Sequence, residues 1–400
     1  MKILGLITEY NPFHNGHYYH LQQSRSLTDP DLTIVIMSGD FLQRGEPALI
    51  SKWDRAKAAV RSGVDLVFEL PYQYAVQPAD RFAKGAVRML ADTGVTDVVF
   101  GSEHGISADF TKAASMALQY QDQINKNVRK NMQSGERFPK AYANAVHEAS
   151  GKEIAVDLSH PNNSLGFHYT LEAMKMASQI NMHTIKRAGA GYHNPELQTG
   201  SFSSATAIRG HLLTEGTSAD SISQAVPETM MEIIRQSIES KTLASWKDFY
   251  PFLQYKLLTT SNEALSAIYD CDEGLENRLK KNAKEPTFTE FLKAVSTKRY
   301  TNTKIQRLLV HLLSNVQKSE MEKALSEPPA FRLLAMNTKG RNHLNHLKHK
   351  DIDIVAKQFA TSGCAASIHN RVCDVYGIPH INNPYFREEH QRTPYLHENE

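Results

Sequence analysis

Within its first 105 residues the chain alternates short apolar runs with amphipathic stretches. This constrains the fold more than any other feature. Runs at 3–7, 33–37, 65–70 and 95–100 read as buried strands. Between them lie helical stretches. Ser51 caps 52–62, with Asp54 three residues on as in a capping box and Gly63 as terminator. Phe82, Ala86 and Leu90 fall on one helical face that ends at Gly94. Strands that alternate with helices predict a parallel sheet covered on both faces. A helical region at 108–150, broken between 132 and 139, precedes a turn at 161–166 that leads to a helix through 177 and then a fifth strand at 182–186. After about residue 213 helical patterns dominate, with one more strand and helix expected beyond 351 and a loose polar tail from 387. The expected fold class is α/β, an open parallel Rossmann-like sheet domain over 1–213, followed by a mostly α-helical basic domain over 214–400.

The first strand runs into Asn11-Pro12 and then His14-Asn15-Gly16-His17, which opens a helix. Strand, glycine-bearing turn and helix make a phosphate site, because the first helix amides are unpaired and the dipole favours an anion. Gly16 allows close approach to the backbone. His14 and His17, three apart, can reach one phosphate group. A metal half-site, or two polar residues on an exposed turn, remain alternative readings of the pair. In open parallel sheets the carboxyl ends of the strands converge on one crevice, so the loops after strands one, four and five should meet. Gly101 follows the fourth strand, Arg187 follows the fifth as a bidentate phosphate cation, and Ser203 to Arg209 open another helix.

Composition narrows the class. The three cysteines, Cys271, Cys364 and Cys373, suit a reducing cytoplasm better than a disulfide framework. The amino terminus does not read as a signal peptide, and no apolar run approaches the ~20 residues of a membrane span. Net charge is only +2, so local charge matters more. From 291 to 350 there are 12 Lys/Arg against 3 Asp/Glu. The helix expected over 300–316 has an aliphatic face of Ile305, Leu308, Leu309, Leu312 and Val316. Lys304, Arg307 and His311 are expected on its outer face, just after Lys298 and Arg299. Such a face suits RNA phosphates, or is simply solvated. His343, His346 and His349 read as part of a basic helix rather than a metal site.

The string E-Y-N-P-F-H-N-G-H at 9–17 resembles the H-x-G-H signature of the nucleotidyltransferase superfamily. More specifically, it resembles the bacterial tRNA(Met) cytidine acetate ligase family. Further blocks resemble the same family. They are M-S-G-D-F-L-Q-R-G-E-P at 37–47, D-L-V-F-E-L-P at 65–71, F-G-S-E at 100–103 and P-N-N-S-L-G at 161–166. K-R-A-G-A-G-Y-H at 186–193, F-S-S-A-T-A-I-R at 202–209 and K-R-Y-T-N-T-K-I-Q-R-L-L at 298–309 complete the set. Two positions depart from the pattern. Ala205 stands where a hydroxyl is usual, and Asp40 stands where the family block carries Asn, so Asp40 is left outside the implied site.

The resemblance implies an enzyme that activates acetate with ATP, forming acetyl-AMP and pyrophosphate. It then acetylates N4 of the wobble cytidine of elongator tRNA(Met). His14 and His17 would be catalytic. The implied ATP site comprises Ile7, Thr8, Glu9, Tyr10, Asn11, Pro12, Phe13, His14, Asn15, Gly16, His17, His20, Gly101, Asn162, Arg187, Ala188 and Ser204. Mg²⁺ would accompany ATP with no protein ligand named. Lys298, Arg299, Lys304 and Arg307 would hold tRNA. No membrane and no obligate protein partner is implied. The competing readings are an adenylyltransferase of cofactor synthesis and a non-catalytic RNA-binding protein on a nucleotide fold.

Overall fold

The computed structural model describes residues 1–151, 153–176, 178–187, 203–214, 216–272, 274–350, 352–357, 363–380 and 391–398. Eight strands form one sheet: β1 (Ile3–Thr8), β2 (Leu32–Ser38), β3 (Leu66–Leu70), β4 (Asp97–Ser102), β5 (Asn181–Lys186), β6 (Phe331–Asn337), β7 (Ile354–Val355) and β8 (Tyr395–His397). Their order is β5-β4-β1-β2-β3-β6-β7, with β8 paired to β6. The first five are parallel, as the strand–helix alternation requires. The chain builds outward from β1 in two directions, so the crevice at the reversal lies beyond the carboxyl ends of β1 and β4.

Alternation along the strands divides the core. Ile34 and Ile36 face one side with the helices Ala79–Asp92 and Pro161–Lys175. Val35 and Met37 face the other with Lys52–Arg61, Ala205–Leu212 and Glu228–Glu239. Ser51 caps its helix as expected, accepting from the Asp54 amide.

The division at 213/214 is not a boundary of the sheet. β6 returns from the carboxyl-terminal half and pairs antiparallel with β3, and β7 and β8 extend it. The expected loose tail likewise contains β8. Its Tyr395 and Leu396 pair with Ala335 and Met336. A separate helical core does exist. It joins Trp246–Thr259, Asn302–Leu313, Lys318–Ser326 and Cys364–Gly377 around Phe249, Leu253, Leu308, Leu312 and Ile368.

The helix Asn302–Leu313 buries Ile305, Leu308, Leu309 and Leu312 as expected, but its other face is not open to solvent. His311 is fully buried, with Nδ1 2.7 Å from the Tyr72 hydroxyl. Arg307 is also buried. Tyr72 and Tyr269 pack on His311, and the loop after β2 packs on the helix backbone. Gly45, at φ +77°, lies so close to this helix that a Cβ would stand 2.3 Å from the Arg307 amide nitrogen. Among the described residues no helix is long and apolar enough to cross a membrane.

Candidate active site

His14 ends the turn after β1 and caps the helix Asn15–Thr28, its Nδ1 accepting from the Gly16 amide at 3.0 Å. A Cβ on Gly16 would meet the His14 ring at 2.7 Å, so glycine is required here by the cap as well as by any ligand. The His14 amide donates in turn to His17 Nδ1 at 3.4 Å. With both Nδ1 atoms accepting, a neutral ring carries its proton on Nε2. The two rings stack, centroids 3.8 Å apart, and the edge of Tyr10 packs on His17.

Burial keeps these rings neutral. Burial first, then Arg187 and Arg209, pushes His14 down to about 3. Burial and the neighbouring His14 hold His17 well below the usual range. Burial and Arg187 bring His20 to about 4. Two consequences follow. kcat/KM for ATP, which reports the free enzyme, should show no ionisation near pH 6.5 from these rings; a pH–rate profile checks this. The unfolded chain binds more protons than the native state between the unfolded value near 6.5 and the lowered native values. Stability should therefore fall as pH drops from 6.5 toward 4, which denaturant melts across that range will show.

The loops after β1, β4 and β5 meet in one cleft of about 1170 Å³. Ile7, Thr8, Glu9, Tyr10, Asn11, His14, Gly16, His17, His20, Gly101, Asn162, Arg187 and Ser204 all line it. Gly101 leaves room between Arg187 and His20, whose side chains lie 3.5 and 3.8 Å from where its Cβ would stand. Three residues of the implied set are turned away. Phe13 is fully buried in the core, Pro12 is buried beside it, and Asn15 binds the Gln224 and Ala225 carbonyls. The turn leaves Tyr10, Asn11, His14 and Gly16 to line the cleft in their place. Asn162 reaches the wall, but its amide already donates to Glu103 at 2.6 Å. The Ser204 hydroxyl accepts from the Ala207 amide as a helix cap. Ala188 lies outside the described residues.

Sequence reasoning placed no role on the residues that hold this wall in shape. Arg209 donates to the Asn11 carbonyl at 2.9 Å and to Glu46 at 2.8 Å, joining the helix Ala205–Leu212 to the turn after β1 and the loop after β2. Buried Arg55 binds the carbonyls of Glu9, Ser38 and Gly39. Glu9 accepts from the Gln43 amide at 2.8 Å, and burial raises its pKa against that bond. The blocks Q-R-G-E and A-I-R are visible in the sequence; that Arg209 of the second would reach Glu46 of the first and the Asn11 carbonyl is not.

The RNA-binding set divides as well. Lys298 and Arg299 are exposed, with Arg299 over the Tyr300 ring at 5.8 Å. Lys304 is taken up by Asp270 at 2.8 Å. Arg307 lines the cleft instead of the outer surface. His343 sits in a helix, Thr338–Leu347, and binds the Thr93 carbonyl. Among the described residues no three His, Cys, Asp or Glu side chains converge to hold a metal.

The sequence profile described as HIGH Nucleotidyl Transferase matches residues 1–391. A tRNA(Met) cytidine acetate ligase of Bacillus licheniformis is 39% identical over 389 residues, covering 95% of this chain and 92% of that one. Its counterpart in Anoxybacillus flavithermus is 42% identical over 361 residues, covering 89% of each. The chain belongs to the tRNA(Met) cytidine acetate ligase family. The crystal structure of apo Thermotoga maritima TmcAL superposes with a TM-score of 0.91 at 33% identity, covering 100% of both chains. The same enzyme bound with alpha-thio ATP gives 0.90.

Proposed function

We propose that the protein is an ATP-dependent ligase that acetylates N4 of the wobble cytidine of elongator tRNA(Met) through acetyl-AMP. The observation that carries the reading is the convergence of His14, His17, Arg187 and two helix amino termini in one cleft, in a chain of this family. An acetate oxygen attacks the α-phosphorus of ATP. The bond to the bridging oxygen breaks, and pyrophosphate leaves. No enzyme nucleophile is needed, so catalysis is positioning and charge stabilisation. The Nε2–H groups of His14 and His17 donate to phosphoryl oxygens, and Arg187 with the helix amides balances the outer phosphates. In the second step the cytidine N4 attacks the acetyl carbonyl, the bond to AMP breaks, and N4 loses a proton.

Mg²⁺ would enter with the nucleotide and would offset the negative charge of its phosphates. The described residues supply no cage for it, and the steps above depend only on protein groups. The free cysteines suit the cytoplasm as the site of action.

Labelled acetate should enter tRNA(Met) only with ATP, yielding AMP, pyrophosphate and N4-acetylcytidine by nucleoside mass spectrometry. ADP and phosphate would mean an acyl-phosphate route, and acetylation from acetyl-CoA without ATP would refute the ligase reading. Arg187→Gln should raise KM for ATP about tenfold, as expected for loss of a charge-assisted contact.

A further inference from the structure

The cleft is larger than the ~300–1,000 Å³ usual for one small ligand, and its walls are unequal in origin. The sheet side carries the two histidines, Arg187 and the helix start at Ser204. Another part of the wall is built from the carboxyl-terminal half, by Thr297, Thr301, Asn302, Thr303 and Arg307. This part is the amino terminus of the twelve-residue helix Asn302–Leu313, capped by Thr301. Thr303 and Arg307, four apart, share the helix face turned to the cleft.

Arg307 is the second observation. It is 92% buried, and Nε has no hydrogen-bond partner. Its guanidinium makes no hydrogen bond to any described residue. Its one ion pair among the described residues is a long one, with Asp270 Oδ2 4.0 Å from Nε, and Lys304 takes the other oxygen, Oδ1, at 2.8 Å. A buried guanidinium without hydrogen bonds is costly unless a ligand completes it. Free helix amides and a planar five-donor fork on one face make a phosphate site. Among the described residues of the cleft, seven Arg/Lys side chains line the walls against three Asp/Glu.

The geometry points to a second phosphate site at Thr303 and Arg307 that holds the backbone phosphate beside the reacting cytidine. The nucleotide is thereby drawn into the chamber where acetyl-AMP is made. This rests on the functional reading above and locates its second substrate. ATP already has two helix amino termini and Arg187 on the sheet side, and a third anion site on the part of the wall from the carboxyl-terminal half suits the other polyanion the reaction needs. The Gly45 contact holds the two walls together, because that loop touches the Arg307 backbone and also carries Glu46, which Arg209 binds.

The test uses the full chain and intact tRNA(Met), assembled by ligation with one anticodon-loop phosphate at a time replaced by methylphosphonate. With the unaltered enzyme, neutralising one phosphate flanking the wobble cytidine should lower kcat/KM for acetylation about 10–100-fold. With Arg307→Gln that same replacement should cost within about twofold, because the contact is already gone. If the two losses multiply at every phosphate, the site is overturned. It is also overturned if the whole effect of Arg307→Gln lies in KM for ATP, since the triphosphate is then its ligand. Circular dichroism melts check that the variant folds. Should it not, Arg307→Lys, which keeps the charge without the fork, enters the same cycle and must show partial coupling. No N4-acetylcytidine on unmodified tRNA would overturn the functional reading and this one with it. An active enzyme with independent losses overturns only this one.

Discussion

His17→Ala is expected to slow acetate-dependent pyrophosphate release at saturating substrates about 10²–10³-fold, the usual cost of one positioned donor at a developing charge. The ring is preset for this role. Its Nδ1 faces the His14 amide, so Nε2–H is the group left for a ligand. Burial and His14 keep it neutral, so it donates a hydrogen bond without carrying a full charge that would bind ground and transition states alike. His14, the Tyr10 edge and the ring of Phe13 hold it in place. His14 supplies the shorter cap bond at 3.0 Å and His17 only the longer return bond at 3.4 Å, so loss of His17 should cost the fold little, and thermal melts of the variant will show whether it does. Near-normal turnover in a folded His17→Ala enzyme would refute the role given to the pair.

The largest effect on stability is expected at Lys52. Its ammonium is fully buried, 3.1 Å from Asp40, 3.2 Å from Glu69 and 3.1 Å from the Cys373 sulfur. His369 approaches Glu69 at 3.5 Å. The cluster fastens the carboxyl ends of β2 and β3 to the helix Cys364–Gly377. Asp40 thus serves a buried ion pair outside the nucleotide wall. Lys52→Met removes the cation and strands two carboxylates in the interior, which costs about 3–5 kcal/mol. Urea unfolding should show a lower midpoint. Adding Asp40→Asn and Glu69→Gln should recover much of the loss, because neutral amides are far cheaper to bury than carboxylates. A single variant as stable as the parent would refute the account.

Local signals carried much of the fold. Apolar runs near residues 3, 33, 65, 95 and 182 became β1 to β5, Ser51 became a cap, and the aliphatic face of Asn302–Leu313 became core. Each is decided by neighbours within a few positions, through pleat, helical period or cap. The place of the site was equally readable, since a glycine-bearing turn after the first parallel strand can face only the crevice at the carboxyl ends.

What the sequence by itself determined, then, is the parallel sheet, the histidine turn and the family. Tertiary structure alone decided the rest. Pairing of β6 with β3 joins residues some 270 positions apart, and no local pattern names such a partner. A short apolar run near 331 can enter any open sheet edge or a helical core. The inward turn of Arg307 was hidden for a related reason. Helical periodicity tells which residues share a face, but solvent is excluded from a face only when something packs there. Here that is a loop at Gly45, more than 250 residues earlier, touching the helix backbone. Charge on a sequence therefore gives the sign of a surface, and only the packing of distant segments gives its direction.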